Sequence, residues 1–252
     1  MSLLRSLLFA PGNHARRVAK ALTLDADAVI LDLEDACPIA EKVATRPVVV
    51  EALRQPRRSR GYVRVNALST EFGYGDLVAV VQPGVDGVML TKVNGPDEIR
   101  IADWLMTQLE RERGLASGSV ELLPLIETGA GLTHAEAIAR AAPRVKRLAF
   151  GAGDFTLDLG IRWTPEETEL VAFRSAFVLA SRAAGVEAPI DLAWISPSEQ
   201  GIAKAERIVV AFREAEAQGS AAFALDGALV DYAIVIQAER VLAAAAALSA
   251  RR

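Results

Sequence analysis

Charged and amide side chains stand at the carboxyl ends of six apolar runs in this 252-residue chain. They are Asp32, Glu34 and Asp35; Arg64 and Asn66; Lys92; Glu127; Asp154; and Asp191. If the runs form parallel strands, these ends open on one face, which is where the active sites of α/β barrels lie. One polar strand end is commonplace, but charged groups at this many strand ends favour a binding or catalytic face over a merely solvated surface.

Glu127 and Asp154 are the strongest candidates for chemistry, because each follows a strongly apolar run and precedes a glycine-rich or helix-starting turn. Two carboxylates on adjacent strands can hold Mg²⁺ and leave positions for water and substrate. A metal in that place polarises a substrate carbonyl and stabilises an enolate. Arg64 would add a fixed positive fork for a carboxylate or enolate oxygen. This set favours cleavage or formation of a carbon–carbon bond next to a carbonyl group.

Short apolar runs, rich in aliphatic residues, alternate with helical patterns along the chain. The runs are residues 6–10, 28–33, 62–65, 87–90, 121–126, 147–150 and 188–190. Their continuous apolar character is typical of parallel strands that are buried on both faces. The alternation predicts a parallel sheet, and the chain length suits a single (β/α) barrel. An open doubly wound sheet is the rival, but no G-x-G-x-x-G motif follows the first strand.

Three helical patterns lie between or after these runs. Residues 97–113 place Ile101, Leu105 and Leu109 on one face. The sequence TPEE at 164–167 predicts a helix start, with Thr at the N-cap, Pro at the first position and Glu at the third. SPSE at 196–199 repeats this pattern. An apolar stripe follows it at Ile202, Ala205, Ile208, Val209 and Phe212.

The composition excludes several classes of protein. A net charge of −4 argues against a nucleic-acid-binding face, which is usually basic. A single cysteine, Cys37, excludes an internal disulfide and is typical of a reducing compartment, and the presence of only two histidines disfavours a zinc site. No apolar run reaches the roughly 20 residues of a membrane span, and no signal-peptide pattern is found. We therefore expect a cytoplasmic protein that binds neither nucleic acid nor membrane.

A set of short motifs stands in a fixed order along almost the whole chain. They are LLFAPGN at 7–13, VILDLEDA at 29–36, VRVN at 63–66, GVML at 87–90, IET at 126–128, FGAGDF at 150–155 and LDGALVD at 225–231. In these motifs and their order the chain resembles the citrate lyase β-subunit-like group of the HpcH/HpaI aldolase superfamily, which includes malyl-CoA and citramalyl-CoA lyases. The full set is far more specific than any one of its motifs.

The resemblance implies a TIM (β/α)8-type barrel with a C-terminal helical extension. The barrel would occupy residues 1–195, and the extension, residues 196–252, would pack on a neighbouring subunit, often in a homotrimer. Mg²⁺, or Mn²⁺ in its place, would bind Glu127 and Asp154. Arg64 matches the arginine that contacts the acid substrate.

Asp231 matches an aspartate that a neighbouring subunit delivers to the active site as acid and base. From the residues alone, a surface turn beside Gly227 is a real competitor for this role. Arg16 and Lys20 match positions that contact the phosphates of CoA, although an ordinary solvated helix face would have the same sequence.

The acids that follow the second apolar run have two interpretations. Glu34 and Asp35, together with Asp32, match family residues near the metal, where they orient its waters or the substrate-binding arginine. In this sequence alone they could equally cap the following helix.

The sequence departs from the family after residue 191. The family continues there with a helix and a strand, whereas LAWI at 192–195 joins directly to the SPSE motif. Roughly forty residues are therefore absent, enough for a helix and the eighth strand, and a barrel without that strand exposes two sheet edges. A deletion, a mobile segment that this sequence omits and a different closure of the chain would each explain the gap. We favour the omitted segment, because the chain resumes in register with the family.

The leading interpretation is a Mg²⁺-dependent lyase that cleaves, or forms, a 3-hydroxy-acyl-CoA such as malyl-, citramalyl- or citryl-CoA. The products of cleavage would be acetyl-CoA and a 2-oxo acid. Three other interpretations stay open: the β-subunit of a citrate lyase complex acting on an acyl-carrier-protein thioester, an aldolase of free hydroxy-oxo acids, and a non-catalytic CoA-binding paralogue.

Overall fold

The computed structural model describes residues 4, 6–164, 166–191, 202–225, 228–236 and 238–239. In this part of the chain, parallel strands lie in sequence order in one curled sheet, in which every neighbouring pair is hydrogen-bonded. They are β1 (Leu7–Pro11), β2 (Ala28–Asp32), β3 (Arg60–Val65), β4 (Gly87–Leu90), β5 (Glu121–Ile126), β6 (Ala149–Phe150) and β7 (Ile190–Asp191). The predicted parallel sheet is confirmed, and all of its carboxyl ends lie on one side.

Helices connect the strands and cover the outside of the sheet. They are α1 (Ala15–Leu22), α2 (Lys42–Arg54), α3 (Gly73–Val80), α4 (Pro96–Glu112), α5 (Gly129–Thr133), α6 (Ala135–Arg140), α7 (Ala152–Leu159), α8 (Val171–Ala184) and, after β7, α9 (Ile202–Ala217). Short 3-10 turns at Ile39–Glu41 and Thr168–Leu170 precede α2 and α8.

Strand side chains alternate between two apolar layers. One buried cluster is built from alternate strand positions: Ala28, Ile30, Tyr62, Met89, Leu123, Leu125 and Ala149. The intervening positions, among them Val29, Leu31 and Val63, pack in a second cluster with helical side chains. Burial on both faces explains why these strands lack the alternation of polar and apolar residues that a half-exposed strand shows.

The C-terminal extension is not purely helical, which corrects the expectation from the sequence. An antiparallel hairpin of β8 (Phe223–Leu225) and β9 (Ala228–Val230) follows α9. The hairpin covers the apolar side of α9, where the rings of Phe212 and Phe223 lie 6.4 Å apart. A helix with an apolar stripe needs such a cover, because leaving the stripe in water would forfeit its hydrophobic stabilisation.

The sheet does not close within the described residues. No eighth parallel strand lies between β7 and β1 in that part of the chain, in agreement with the gap in the sequence. The SPSE motif and the predicted domain boundary after residue 195 lie outside the described residues, so the division into two domains stays a prediction. Of the helices in the described part, none is both long and apolar enough to cross a membrane.

The predicted face of α4 is correct for the buried Leu109 and the partly buried Leu105 but wrong for Ile101, and the extent of the helix is close to the prediction. Ile101 is 57% exposed, and the buried stripe runs through Ile99, Ala102, Met106 and Leu109. Because an α-helix has 3.6 residues per turn, residues at these spacings lie on one face of α4, and that face packs towards the sheet.

The predicted helix start at Thr164 is also wrong. Glu167 adopts a left-handed φ of 51°, which interrupts a helical path, and α8 begins only at Val171. The Glu169 side chain instead accepts hydrogen bonds from the backbone N–H of Thr164 at 2.6 Å and from its hydroxyl at 2.8 Å. The acid therefore stabilises a turn that precedes the helix.

Candidate active site

Asp32 and Arg64 form a pair at the carboxyl ends of β2 and β3, where the parallel register sets them side by side. Arg64 donates from Nε to Oδ1 of Asp32 at 2.8 Å, and its NH2 group donates to Oδ2. Asp32 also accepts the backbone N–H groups of Glu34 and Ala36, at 2.8 and 3.1 Å. Burial alone would raise the pKa of Asp32, but Arg64 and the two backbone donors bring that pKa below its ordinary value. Asp32 therefore stays ionised and holds the guanidinium in place.

Lys92, the residue after Thr91 beyond β4, joins acidic groups from two other strand ends. Its Nζ pairs with Glu34 and lies 3.4 Å from Oδ2 of Asp35 and 3.6 Å from Oδ2 of Asp154. Its φ of 52° is uncommon for a residue other than glycine and costs energy. Burial alone would lower the pKa of Lys92, but the carboxylates around it, with Glu34 first, raise it. In the sequence, Lys92 is marked only by its place at a strand end, and that position was the one signal for its role.

Glu34 and Asp35 are brought to the site, as expected. Glu34 is 4% exposed and lies 3.2 Å from NH1 of Arg64. Burial raises the pKa of Glu34, and the neighbouring Asp35 raises it further. Burial likewise raises the pKa of Asp35, against the lowering effect of Lys92. These contacts with the two cations favour a role in the site over capping of the following helix.

Glu127 and Asp154 come together from neighbouring strands. Glu127 directly follows β5, is 2% exposed and accepts the backbone N–H of Lys92 at 2.9 Å. Asp154 lies in the first turn of α7, which follows the paired strand β6. Burial, and then the charge of Asp154, hold the pKa of Glu127 well above its usual range. A cation bound between the two carboxylates would remove this repulsion.

The lack of a side chain at Gly151 leaves space for the Glu127 carboxylate. A Cβ at position 151 would lie 2.8 Å from Oε2 and 3.0 Å from Cβ of Glu127, closer than side chains tolerate. The N–H of Gly151 also donates to the carbonyl of Ile126 at 2.9 Å, which ties the end of β6 to the end of β5. The absence of a side chain at this turn therefore allows the Glu127 carboxylate to lie beside the start of α7.

The donor set fits a small hard cation with an incomplete protein shell. Among the described residues, no three His, Cys, Asp or Glu side chains cluster closely enough to enclose a metal. Two carboxylates that leave positions for water and substrate are typical of Mg²⁺. Cys37, by contrast, is fully buried, and burial raises the pKa of its thiol to about 11, so it behaves as the small buried side chain that the sequence suggested.

A cavity of about 190 Å³ lies at the carboxyl ends of the strands. The charged groups of its lining are Asp32, Asp35, Arg64, Glu127, Asp154 and Asp231. Pockets for drug-sized ligands enclose roughly 300–1,000 Å³, so this cavity suits a small acid of a few carbon atoms. The arm of a longer thioester would have to extend out of it.

Asp231 directly follows β9 and lines the same cavity. Its Oδ1 accepts the backbone N–H of Ile234 at 3.2 Å, and burial raises the pKa of its carboxyl to about 6. The expectation that a neighbouring subunit delivers Asp231 stays a prediction. In this structure the residues just before the C-terminal hairpin accept hydrogen bonds from Asn13, in the turn after β1, and from Arg17, on α1.

Arg16 and Lys20 lie outside the cavity. Both are exposed on α1, one helical turn apart, so they share one face of that helix. Their predicted contact with CoA phosphates stays a prediction. Asp191, at the end of β7, pairs with Arg174 at 2.6 Å and does not join the cavity.

A family model for HpcH/HpaI aldolase/citrate lyase matches residues 5–211. The chain belongs to the HpcH/HpaI aldolase/citrate lyase family. Citrate lyase subunit beta of Haemophilus influenzae is 32% identical over 281 residues, covering 96% of this chain and 97% of that protein. A (3S)-malyl-CoA thioesterase of Cereibacter sphaeroides is 30% identical over 288 residues, covering 98% and 96% of the two chains. The predicted family and its lyase-type enzyme class are confirmed.

Solved structures of the HpcH/HpaI aldolase/citrate lyase type share the fold. The Mycobacterium tuberculosis protein CitE in complex with magnesium, acetoacetate and coenzyme A has a TM-score of 0.58 and 25% identity, over 95% of this chain and 98% of that one. The Haemophilus influenzae alignment runs over 281 positions but uses 96% of this 252-residue chain. About 40 of those positions therefore have no counterpart here, which agrees with the gap expected from the motifs.

Proposed function

We propose that this chain is a Mg²⁺-dependent carbon–carbon lyase acting on a 3-hydroxy-acyl-CoA such as malyl-, citramalyl- or citryl-CoA. It would release acetyl-CoA and a 2-oxo acid, or join them in reverse. The observation that carries the proposal is one cavity that brings together the carboxylates of Glu127 and Asp154, the guanidinium of Arg64 and the carboxyl of Asp231. The relatives support it, since their names specify citrate lyase and malyl-CoA, and one was solved with magnesium and coenzyme A.

Glu127 and Asp154 would hold the metal. When bound, Mg²⁺ would stabilise negative charge on the oxygen that becomes the carbonyl of the 2-oxo acid. Lys92 fixes one oxygen of Glu127 through its backbone N–H, so the carboxylate is oriented before any ligand arrives. Such preorganisation avoids the cost of rearranging charged groups during the reaction.

Arg64 would bind the carboxylate of the acid portion. Its Nε and NH2 groups are held by Asp32, and its NH1 lies against Glu34, so the guanidinium has a fixed direction beside the cavity. A planar guanidinium matches a carboxylate or enolate oxygen well. A fixed Arg64 would therefore orient the substrate at little cost in side-chain entropy.

Asp231 would exchange the proton at the thioester α-carbon. During cleavage the hydroxyl group would lose its proton to water and become a carbonyl, the electrons of the broken carbon–carbon bond would pass to the thioester enolate, and the α-carbon would gain a proton from Asp231. A pKa of about 6 lets Asp231 be protonated and deprotonated near neutral pH, as a general acid and base requires. In the condensation direction the same carboxylate removes the α-proton.

The metal assignment is tested with Glu127→Gln and Asp154→Asn. We expect each to weaken Mg²⁺ binding in calorimetry and to lower metal-dependent cleavage of malyl- or citramalyl-CoA by at least about 100-fold, because each removes a ligand charge without changing side-chain size. Glu136→Gln and Asp97→Asn, exposed acids on α6 and α4, are matched controls. Full cleavage activity in either site variant would remove that residue from the metal site.

Product analysis separates the remaining interpretations. Acetyl-CoA with a 2-oxo acid indicates a lyase, and free CoA with intact hydroxy acid indicates a thioesterase. Activity only on an acyl-carrier-protein thioester indicates a citrate lyase β-subunit. Neutralising Arg16 and Lys20 should raise KM for a CoA thioester and leave KM for a free hydroxy-oxo acid unchanged.

A further inference from the structure

We propose that Lys42 and Asn66 are positioning residues of the active site. From behind the site they hold the turn that follows β2, residues 33–35, and thereby direct the carboxylates of Glu34 and Asp35 towards the cations of the site. Neither Lys42 nor Asn66 is among the described residues that line the cavity, so each acts through the turn rather than on a substrate. The inference rests on the proposed function, because it concerns how two acids of the proposed lyase are held.

Lys42 is the first residue of α2 and is buried, with 5% of its surface exposed. Its Nζ donates hydrogen bonds to the carbonyl of Leu33, at 2.9 Å, and to the carbonyl of Glu34. Nζ also lies 5.8 Å from the centre of the Phe72 ring, whose face attracts a cation. Lysine is rarely buried, because burial penalises its charge, and burial lowers the pKa of Lys42. The backbone of the turn therefore supplies the hydrogen-bond acceptors that this buried group needs.

Asn66 directly follows β3 and binds the same turn from that side. Its Nδ2 donates to the carbonyl of Leu33 at 2.9 Å, so one carbonyl accepts hydrogen bonds from both positioning residues. Nδ2 and the backbone N–H of Asn66 also donate to Oδ2 of Asp76, a fully buried residue of α3, at 2.6 and 3.0 Å. Arg46 of α2 donates from Nε to the other oxygen of Asp76 at 2.8 Å. Buried hydrogen bonds thus tie the turn to β3, α2 and α3.

The acids of the turn face the site. The Glu34 carboxylate pairs with Lys92 and lies 3.2 Å from NH1 of Arg64, and Oδ2 of Asp35 lies 3.4 Å from Nζ of Lys92. The turn is therefore held by buried donors on one side and by charged partners on the other. Without the buried donors, the turn could place its two acids in several directions, and the site would lose part of its preorganisation.

Lys42→Met is the principal test, because methionine has a similar length and cannot donate a hydrogen bond. Each carbonyl that loses Lys42 keeps another donor. Leu33 keeps Nδ2 of Asn66, and Glu34 keeps the backbone N–H of Cys37 at 3.1 Å. The substitution leaves neither buried carbonyl unpaired and removes a buried charge, so we expect the variant to fold.

Hydrogen exchange tests the support of the turn without reference to activity. We expect Lys42→Met to speed up exchange of the amides at 34–37 about tenfold, because the turn loses two hydrogen bonds. The matched control is Arg113→Met, since Arg113, just after α4, also donates to two backbone carbonyls, those of Val78, at 2.7 Å, and Val81. The control should leave exchange at 34–37 unchanged. Unchanged exchange there in Lys42→Met would overturn the proposal.

A double-mutant cycle tests whether Lys42 acts through the acids. Lys42→Met should lower kcat for cleavage of malyl- or citramalyl-CoA by about 10- to 100-fold, with a smaller change in KM. Arg113→Met should keep the kcat of the unchanged chain. In a chain that already carries Glu34→Gln and Asp35→Asn, adding Lys42→Met should change kcat by no more than about twofold, because the groups it positions are gone. A full second loss of kcat in that chain would indicate general damage to the fold and overturn the proposal.

Asn66→Ala is the second variant, because it removes the other side-chain donor to Leu33 and leaves Lys42 in place. It should speed up exchange at 34–37 and lower kcat, and its effect on kcat should also be lost without the two acids. If Lys42→Met does not fold, this variant decides the proposal by the same outcomes. If the unchanged chain cleaves neither thioester, or cleavage without the two acids is too slow to measure, exchange alone decides the positioning role. The first of these results would refute the proposed function.

Discussion

At the level of single residues, the strand-end site holds acids whose pKa values are raised for the same reason. Burial comes first for Glu34, Asp35 and Glu127, and a neighbouring carboxylate adds to it in each case. Arg64 and Lys92 offset part of this negative charge. A divalent cation would offset more, which is the electrostatic reason for placing a metal beside Glu127.

Asp231 should give the reaction a pH dependence of opposite sign in its two directions. Removal of a proton from acetyl-CoA needs the carboxylate, so exchange of the α-protons with deuterium should rise as the pH passes through about 6. Cleavage needs the protonated acid and should fall through the same range. Both rates are measured from about pH 5 to about pH 8. Asp231→Asn should remove both transitions, and a transition that survives in this variant would assign it to another group.

At the level of elements, the ends of adjacent strands set the geometry of the site. The register of β2 against β3 places Asp32 beside Arg64, and the pairing of β5 with β6 brings Glu127 next to the turn that starts α7. Side chains at the ends of different strands meet here because the carboxyl ends of parallel strands all reach the same face of the sheet. The turn between β6 and α7 can be tested by a single substitution.

Gly151→Ala should displace Glu127 and weaken Mg²⁺ binding by about 10- to 100-fold, as expected for a change in the support of a metal ligand. The cause is the 2.8 Å contact that an added Cβ would make with Oε2. Gly153→Ala in the same turn is the matched control, since its Cβ would approach nothing nearer than Trp163 at 3.9 Å. Both affinities are measured by calorimetry without substrate. Equal affinities in the two variants would show that this turn does not position Glu127.

At the level of the whole molecule, the sheet ends at β7 and the chain continues through residues outside the described part to α9. The alignment with citrate lyase subunit beta of Haemophilus influenzae contains about 40 positions that have no counterpart in this chain. A sheet that leaves β1 and β7 as edges exposes unpaired backbone groups, which natural proteins usually cover. This agrees with the expectation that the protein carries a further segment near residue 195.

An intact-mass measurement tests that expectation. We expect the purified natural protein to have a mass well above 26.9 kDa, because a segment holding a helix and a strand would add to it. A mass of 26.9 kDa would instead establish a true deletion. Light scattering on the same sample gives the number of subunits, for which the family resemblance predicts three.

The sequence by itself determined the parallel sheet and the residues at the strand ends. A continuous apolar run indicates a strand that is buried on both faces. The first polar residue after the run then lies at the end of that strand, and this inference needs no knowledge of the tertiary structure. Glu34, Arg64, Glu127 and Asp154 could therefore be predicted from local pattern and family motifs. The face of α4 and the start of α8 could not, because packing and a left-handed residue overrode the local preference.

Only the tertiary structure decided how these residues meet. Lys92 became the link between three acids through a strained backbone that no local pattern specifies. Asp231 was in the sequence motif, but its place at the cavity in this structure depends on contacts of Asn13 and Arg17 with residues 219–222, before the C-terminal hairpin. Such contacts join segments that are far apart in the chain. They form only when the backbone brings these segments together, and neither composition nor periodicity specifies that.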